Sequence, residues 1–146
     1  EPYCEELAKA ITNEIRRGNR IDTTTKLRNV IEKTLDFLPN NKEKKDIIKK
    51  TCQRTFQALR IDVNNEFEVL YEFMEKLPGA LKQGGRVAIL TFHSGEDKLV
   101  KKALKAGYKE GIYSEYARDV VRPSAQECAQ NGRARSTKMR WAVKAE

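Results

Sequence analysis

Hydrophobic and polar residues alternate with a helical period through most of the first 80 residues. The periodic stretches are residues 4–17, 22–35, 52–63 and 67–77, and a very basic segment, Lys42–Lys50, leads into the third of them. In each, apolar residues recur three or four positions apart, which places them on one face of an α-helix. Turn-forming residues separate the stretches: Gly18-Asn19, Pro39-Asn40-Asn41, Asn64-Asn65 and, at the end, Pro78-Gly79. The pattern predicts an almost wholly helical first part of the chain.

The pattern changes at Gly84-Gly85, where an apolar and β-branched run, Val87–Phe92, begins. A run of this length is typical of a strand buried on both faces, as in a parallel sheet. A helical pattern follows over Asp97–Lys105, with Ser94 as the predicted N-cap and acidic residues in the first turn. In open α/β sheets, ligands bind beyond the carboxyl ends of the strands. The only histidine, His93, lies there.

The pattern of the last forty residues predicts a series of short helices, strands and loops. In order they are a tyrosine-rich link at 108–116, an extended segment at 119–122, a short helix at 125–130, a polar loop at 132–136 and a strand at 137–143. The final strand is expected to carry Met139, Trp141 and Val143 on one face, because side chains alternate along a strand. The overall prediction is an α/β protein with a mostly helical N-terminal part.

Composition narrows the class of protein. The chain has 146 residues, of which 39% are hydrophobic and 34% are charged, so one ordinary domain or two small ones are expected. No apolar run approaches the roughly 20 residues of a membrane span, and we predict a cytoplasmic protein. The three cysteines are far apart and lack a Cys-x-x-Cys spacing. They are interpreted as reduced thiols, with neither a disulfide framework nor a metal site.

The net charge of +8 favours polyanionic partners. Near the C-terminus five basic residues follow one another without an acid between them: Arg133, Arg135, Lys138, Arg140 and Lys144. Such a surface can bind the phosphates of a nucleic acid through counterion release. A basic protein without a nucleic-acid partner explains the charge equally well.

A second polar pattern lies within residues 53–64, where Gln53, Gln57, Arg60 and Asn64 are three or four positions apart. These amides and the guanidinium therefore share one helix face. They could contact a base edge or a phosphate. An ordinary solvated helix face is the alternative, and the pattern alone favours that alternative.

The pair His93-Ser94 suggests a nucleophile, but no Gly-x-Ser-x-Gly sequence surrounds the serine, so a serine hydrolase is not expected. His93 is either catalytic or a structural hydrogen-bonding residue at a strand end. No Gly-x-Gly-x-x-Gly fingerprint or Walker loop occurs in the chain. The sequence therefore contains no complete nucleotide- or adenosine-binding site.

Several motifs, taken together and in order, resemble the C-terminal half of the RsmH/MraW methyltransferases. They are Arg54–Asn64, the double glycine and strand ending in Phe92-His93-Ser94-x-Glu96-Asp97, Pro123-Ser124, and Asn131–Arg140. The resemblance extends over essentially the whole chain. It implies an enzyme that uses S-adenosyl-L-methionine to methylate N4 of a cytidine in small-subunit ribosomal RNA.

The resemblance also implies a domain organisation. Residues 1–53 would be a helical, insert-like domain, and residues 54–146 would be the C-terminal part of a Rossmann-like class I methyltransferase sheet. The glycine-rich turn and the acidic residue that bind the cofactor would lie upstream, so the cofactor-binding residues are unknown here. Gly95 and Thr91 are mild departures, because the family usually has Leu and Ser there.

The resemblance assigns roles to ten residues. The catalytic candidates are His93, Ser94 and Asn64. The substrate- or RNA-binding candidates are Arg54, Gln57, Arg60, Arg133, Arg135, Lys138 and Arg140, the last four as phosphate contacts or as structural pairs. The implied partner is small-subunit rRNA or a ribosomal particle. A homodimer or a missing N-terminal half would cover the open edge of a partial sheet. The alternative function is a non-catalytic RNA-binding or scaffold module.

Overall fold

The computed structural model describes residues 1–146 and divides them into two compact units, Glu1–Asn64 and Asn65–Glu146. Each unit has its own hydrophobic core. The domain boundary predicted at residue 53 lies inside a helix that runs from Lys42 to Asn64. The assignment of residues 1–53 to an insert-like domain stays a prediction.

The first unit consists of three helices, α1 (Cys4–Arg16), α2 (Thr24–Thr34) and α3 (Lys42–Asn64). Their shared core is formed by Leu7, Leu27, Ile31 and Leu35. Ile31 and Leu35 are completely buried. Helix α2 begins where the sequence predicts, because the Thr23 hydroxyl accepts a hydrogen bond from the backbone N–H of Lys26 at 3.2 Å.

The apolar stripe predicted along α3 is buried over only part of its length. Cys52 and Phe56 pack against the core of the first unit, whereas Leu59 and Val63 are 44% and 78% exposed. Burial raises the pKa of the Cys52 thiol above its ordinary value. All three cysteines are free. No helix in the chain is both long and apolar enough to cross a membrane.

The second unit contains helices and a small sheet. Its elements are α4 (Glu66–Ala80), β1 (Arg86–Thr91), α5 (Ser94–Lys109), β2 (Tyr113–Tyr116), α6 (Ala125–Gln130), a 3₁₀-helix (Gly132–Ser136) and β3 (Lys138–Lys144). The strand order is β1-β3-β2, and both pairings are antiparallel. The predicted α/β class is therefore confirmed.

The prediction that β1 is buried on both faces of a parallel sheet is wrong for this chain. Its residues alternate between exposed and partly or fully buried positions, because α4 and α5 cover one face of the sheet. Val87 and Ile89 point to that side and pack against the core. Ala88 and Leu90 point to the other side and are exposed.

Strand β3 has a similar two-faced arrangement. Met139, Trp141 and Val143 share a face, as predicted, but that face is only partly buried. Arg140 and Ala142 point to the covered side and are buried. The register places Ala142 opposite both Val87 and Tyr116. The most apolar face of this strand is thus not the one that the helices cover.

Four predicted segments of the second unit differ in the structure. Strand β2 forms within the predicted tyrosine-rich link, and the predicted extended segment 119–122 contributes only an isolated bridge between Val121 and Met139. The predicted polar loop 132–136 is a 3₁₀-helix. Helix α4 includes Pro78 in its last turn and ends at Ala80.

Candidate functional site

The carboxyl end of β1 is the place where the predicted site residues of the second unit meet. Thr91, the last residue of β1, lies opposite Lys138, the first residue of β3. Because the strands are antiparallel, the residues after β1 and those before β3 lie at the same end of the sheet. His93 and Ser94 follow β1, and the basic segment 133–138 leads into β3. The fold therefore brings these two segments together.

His93, rather than the predicted Ser94, is the N-cap of α5. Its backbone is extended, and its Nδ1 accepts a hydrogen bond from the N–H of Glu96 at 3.3 Å. In return, Oε2 of Glu96 accepts a hydrogen bond from the N–H of Phe92 at 3.0 Å. This reciprocal arrangement resembles a capping box and fixes the turn between β1 and α5. Ser94 is the first residue of the helix and is exposed.

The cap determines the tautomer of the His93 ring. Since Nδ1 accepts a hydrogen bond, the proton of the neutral imidazole lies on Nε2. Nε2 is buried, lies 3.5 Å from Oε1 of Glu96 and makes no hydrogen bond. Phe67 packs edge-on against the ring, with 5.7 Å between the centroids. Both ring nitrogens face groups of the protein. This arrangement favours His93 as a structural hydrogen-bonding residue over His93 as a catalytic residue.

His93 also forms a three-residue group with Glu66 and Glu96, whose nitrogen and oxygen atoms lie within 4.8 Å of one another. Such a set could in principle coordinate a metal ion. The Nε2–H tautomer, however, has no lone pair free on either nitrogen while the cap is formed. The donor set therefore does not fit a metal ion in this arrangement.

A buried ion pair lies beside this turn, and the sequence interpretation did not identify its acidic partner. Arg140 on β3 binds Asp97 on α5 through two hydrogen bonds, Nε to Oδ1 at 2.7 Å and Nη2 to Oδ2 at 3.1 Å. Nη1 also donates to the carbonyl oxygens of Ala117 and Arg118. Arg140 is only 5% exposed, so this pair links the helix, the strand and the segment after β2.

The environment of Asp97 stabilises its charged form. The hydrogen bonds from Arg140 hold the pKa of this carboxyl below its ordinary value, and the charges of Arg140, Lys138 and Lys101 act in the same direction. Burial opposes them by favouring the neutral acid. The one signal in the sequence was an arginine in the middle of an otherwise apolar strand, and nothing local indicated its partner.

The remaining basic candidates differ from Arg140. Arg133 and Arg135 are exposed on the 3₁₀-helix, and Lys138 is partly exposed at the start of β3. The Asn131 side chain caps this segment by accepting a hydrogen bond from the N–H of Arg133 at 3.1 Å. Arg140 forms a structural pair with Asp97, which is one of the two roles left open for these residues. Phosphate binding by the other three stays a prediction.

The other four candidates lie on α3 of the first unit. Arg54 is exposed and its Nη1 lies 3.3 Å from Oε2 of Glu1. Asn64 donates a hydrogen bond from Nδ2 to the backbone oxygen of Arg60 at 2.9 Å. Arg60 is exposed, whereas Gln57 is partly buried. Their assigned roles stay predictions.

The fold and the site together define a class of protein. It has a helical unit followed by an α/β unit, in which a capped strand–helix turn lies beside the basic segment 133–138. Comparison with known proteins identifies the family within this class. The chain belongs to the MraW methylase family, whose model matches residues 1–145. This confirms the resemblance found in the sequence.

Curated relatives agree with this family assignment. The chain is 88% identical over 146 residues to ribosomal RNA small subunit methyltransferase H 1 of Agathobacter rectalis, covering 100% of this chain and 42% of the relative. It is 71% identical over 145 residues to the protein of the same name from Lachnoclostridium phytofermentans, covering 99% and 39%. It is 59% identical over 145 residues to methyltransferase H 2 of Alkaliphilus metalliredigens, covering 99% and 41%. The chain thus spans less than half the length of these relatives.

Proposed function

We propose that this chain forms the substrate-side part of an S-adenosyl-L-methionine-dependent methyltransferase that acts on cytosine N4 in small-subunit rRNA. One observation carries the proposal. The antiparallel pairing of β1 with β3 places exposed cations, Arg133 and Arg135, at the same end of the sheet as the His93 turn. The family assignment makes RNA the polyanion that these cations would bind.

The chemistry of such a reaction requires positioning above all. An exocyclic amine is a weak nucleophile, so the enzyme must hold the target base in one orientation. A base inside a duplex must also be turned out of the stack before it can be modified. We assign the binding of flanking phosphates to Arg133, Arg135 and Lys138, because phosphate contacts set the register and orientation of a nucleic acid.

The His93 turn supplies rigidity to this surface. Its reciprocal hydrogen bonds with Glu96 fix the path of the chain from β1 into α5. The adjacent Asp97–Arg140 pair fixes β3 against the same helix. Ser94 is exposed at this turn, and we assign to it a hydrogen bond with the target nucleotide.

We further assign base or phosphate positioning to Arg54, Gln57, Arg60 and Asn64. They are polar residues on a single helix, and the Arg54–Asn64 motif resembles the family's sequence. The support is the resemblance together with the exposed guanidinium groups of Arg54 and Arg60.

The residues present do not fit a complete site for the cofactor that the family implies. Class I methyltransferases hold it at a glycine-rich turn after a parallel strand, and this sheet contains only antiparallel pairs. The one turn that leads directly from a strand into a helix is filled by the His93 cap. Binding of S-adenosyl-L-methionine is therefore assigned to the part of the relatives' length that this chain does not cover.

We propose that the free edge of β1 pairs with a further segment, either of that remaining part or of a second copy. Strand β1 has β3 as its only neighbour, so one row of its backbone groups is available for pairing. Leu90 in this strand and Phe92 directly after it are 58% and 54% exposed. A cytoplasmic location is part of the same proposal.

A chimera tests the function directly. The segment of the Agathobacter rectalis relative that matches this chain is replaced by residues 1–146, and transfer of labelled methyl groups to small-subunit rRNA is measured. We expect activity close to that of the unaltered relative. A folded chimera that binds rRNA but transfers no methyl group would contradict the enzymatic function and support the alternative, a non-catalytic RNA-binding module.

A variant of the chimera tests the cationic segment. Arg133→Gln combined with Arg135→Gln should weaken rRNA binding and reduce the slope of log K against log salt by about 0.7–0.9 for each phosphate that the variant no longer neutralises. Lys105→Gln combined with Lys109→Gln, at two exposed positions of α5, also removes two charges and is the matched control. Equal binding by both variants would refute the assignment of Arg133 and Arg135.

A further inference from the structure

A groove between α4 and α5 in the second unit shares no residue with the turn described above. Its volume is about 770 Å³, which is within the usual range for small-molecule sites. Its apolar lining includes Met74, Leu99, Ala103 and Ile112. The groove follows α5 from Lys98 to Glu110, roughly 18 Å at 1.5 Å per residue.

Tyr113 gives this groove an unusual polar group. The residue is only 3% exposed and lines the groove, and its buried hydroxyl has no hydrogen-bond partner in the protein. The ring is held tightly, since a Cβ on Gly107 would lie 2.6 Å from it. Buried polar groups are almost always hydrogen-bonded to the protein or to ordered water, so this hydroxyl has hydrogen-bonding capacity left for a water molecule or a ligand.

The charges around the groove are uneven. Lys98 and Lys102 lie one turn apart on α5, both line the groove, and neither forms an ion pair. On α4, the carboxylate of Glu75 accepts a hydrogen bond from the Tyr71 hydroxyl, which raises the pKa of that tyrosine. Glu110 lies at the other end of α5. Glu75 and Glu110 also line the groove, so its positive charge is confined to the two lysines of α5.

We propose that the α4–α5 groove binds a small amphiphilic anion. Lys98 and Lys102 bind its carboxylate or phosphate group, the apolar floor holds its hydrocarbon body, and the Tyr113 hydroxyl forms a hydrogen bond with a second polar group. The two lysines without ion-pair partners favour an anion over a neutral or cationic ligand, and the unpaired hydroxyl favours a ligand with a second polar group. The proposal is independent of the function proposed above.

Binding is tested by calorimetry on the 146-residue chain, with probes kept below their micelle-forming concentrations. The probes are decanoate, 10-hydroxydecanoate and decylammonium. We expect saturable binding of both carboxylates, tighter for the hydroxylated one, and none of the ammonium. Lys98→Gln combined with Lys102→Gln should weaken carboxylate binding about tenfold or more. Lys105→Gln combined with Lys109→Gln, two exposed lysines of α5 outside the groove, is the matched control and should change nothing.

Tyr113→Phe tests the hydroxyl. The variant should bind decanoate as the wild type does but lose the preference for 10-hydroxydecanoate. Its melting temperature without ligand should be equal or higher, because an unpaired buried group has been removed. A lower melting temperature would mean that an internal water satisfies the hydroxyl, and the proposal would fail. It would also fail if decylammonium bound equally well, if no probe bound saturably, or if sedimentation showed a second copy of the chain covering the groove.

Discussion

The two units of this chain bury different kinds of side chain. The core of the first unit is formed by four aliphatic residues, and ion pairs of this unit, such as Arg28 with Glu32 and Arg54 with Glu1, each include an exposed side chain. The second unit buries Arg140 against Asp97 beside an aliphatic core. Removing charges from water is costly unless they are paired with good geometry. The stability of the first unit should therefore depend on the packing of its apolar side chains. The stability of the second unit should depend in addition on its buried ion pair.

The largest expected effect is the loss of packed volume in the first unit. Ile31 is completely buried, so Ile31→Ala removes apolar packing and leaves a cavity. We expect a loss of about 3 kcal/mol in the free energy of unfolding. Urea denaturation measures it, and hydrogen exchange shows whether the loss is confined to residues 1–64. Leu59→Ala, at a 44% exposed position, is the control. Similar losses for the two variants would contradict the assignment of the core.

The next effect tests charge in the second unit. Asp97→Asn leaves the Arg140 guanidinium buried without its anionic partner, and we expect a loss of about 3 kcal/mol near neutral pH. Asp119→Asn, at an exposed position, should have little effect. The urea midpoints of the two variants provide the comparison. Equal midpoints would show that the buried pair does not stabilise the unit.

The pH dependence of the same variant sharpens this test. The pKa of Asp97 is lowered from 3.8 in the folded protein, so the folded state holds the carboxylate more favourably than the unfolded state does. The stabilisation is complete above the unfolded pKa and is lost as pH falls through the folded pKa. The Asp97→Asn variant should therefore lose less stability than the wild type as the pH falls from about 5 into the acid range. A parallel decline would contradict the role of the pair.

A smaller effect separates the two roles of His93. His93→Ala removes the N-cap of α5 and should cost about 1 kcal/mol, whereas His93→Asn supplies another capping side chain and should restore most of the loss. The same variants in the chimera give a second measurement, the rate of methyl transfer. If His93→Ala lowers both stability and activity and His93→Asn restores both, His93 has a positioning role. Inactive but stable His93→Asn would instead support a catalytic histidine.

The smallest effect belongs to the surface of the first unit. Glu32→Gln removes the partner of Arg28, which is an exposed pair on α2. Exposed pairs contribute little to stability, because water and salt screen them. We expect no measurable shift of the urea midpoint at moderate salt. A clear shift would show that charge matters in the first unit as well, and the contrast between the two units would disappear.

Prediction from the sequence succeeded for features that are determined by residues close together in the chain. The positions of α1, α2, the later part of α3 and strand β1 follow from periodicity and turn residues. The family assignment follows from ordered motifs. For the site, the sequence indicated His93 and the basic segment 133–138 but assigned the helix cap to Ser94. A histidine N-cap was overlooked because serine is the commoner capping residue.

What the sequence determines by itself is the set of helices, the two main strands and the family, because these depend on patterns within short stretches of chain. The tertiary structure alone decides that the strands pair antiparallel, that β2 forms, which face of β3 is covered, and that Arg140 binds Asp97 rather than solvent. These features join residues that are distant in the chain; Arg140 and Asp97 are 43 positions apart. Their free energies depend on burial and geometry that exist only after the helices and strands have packed.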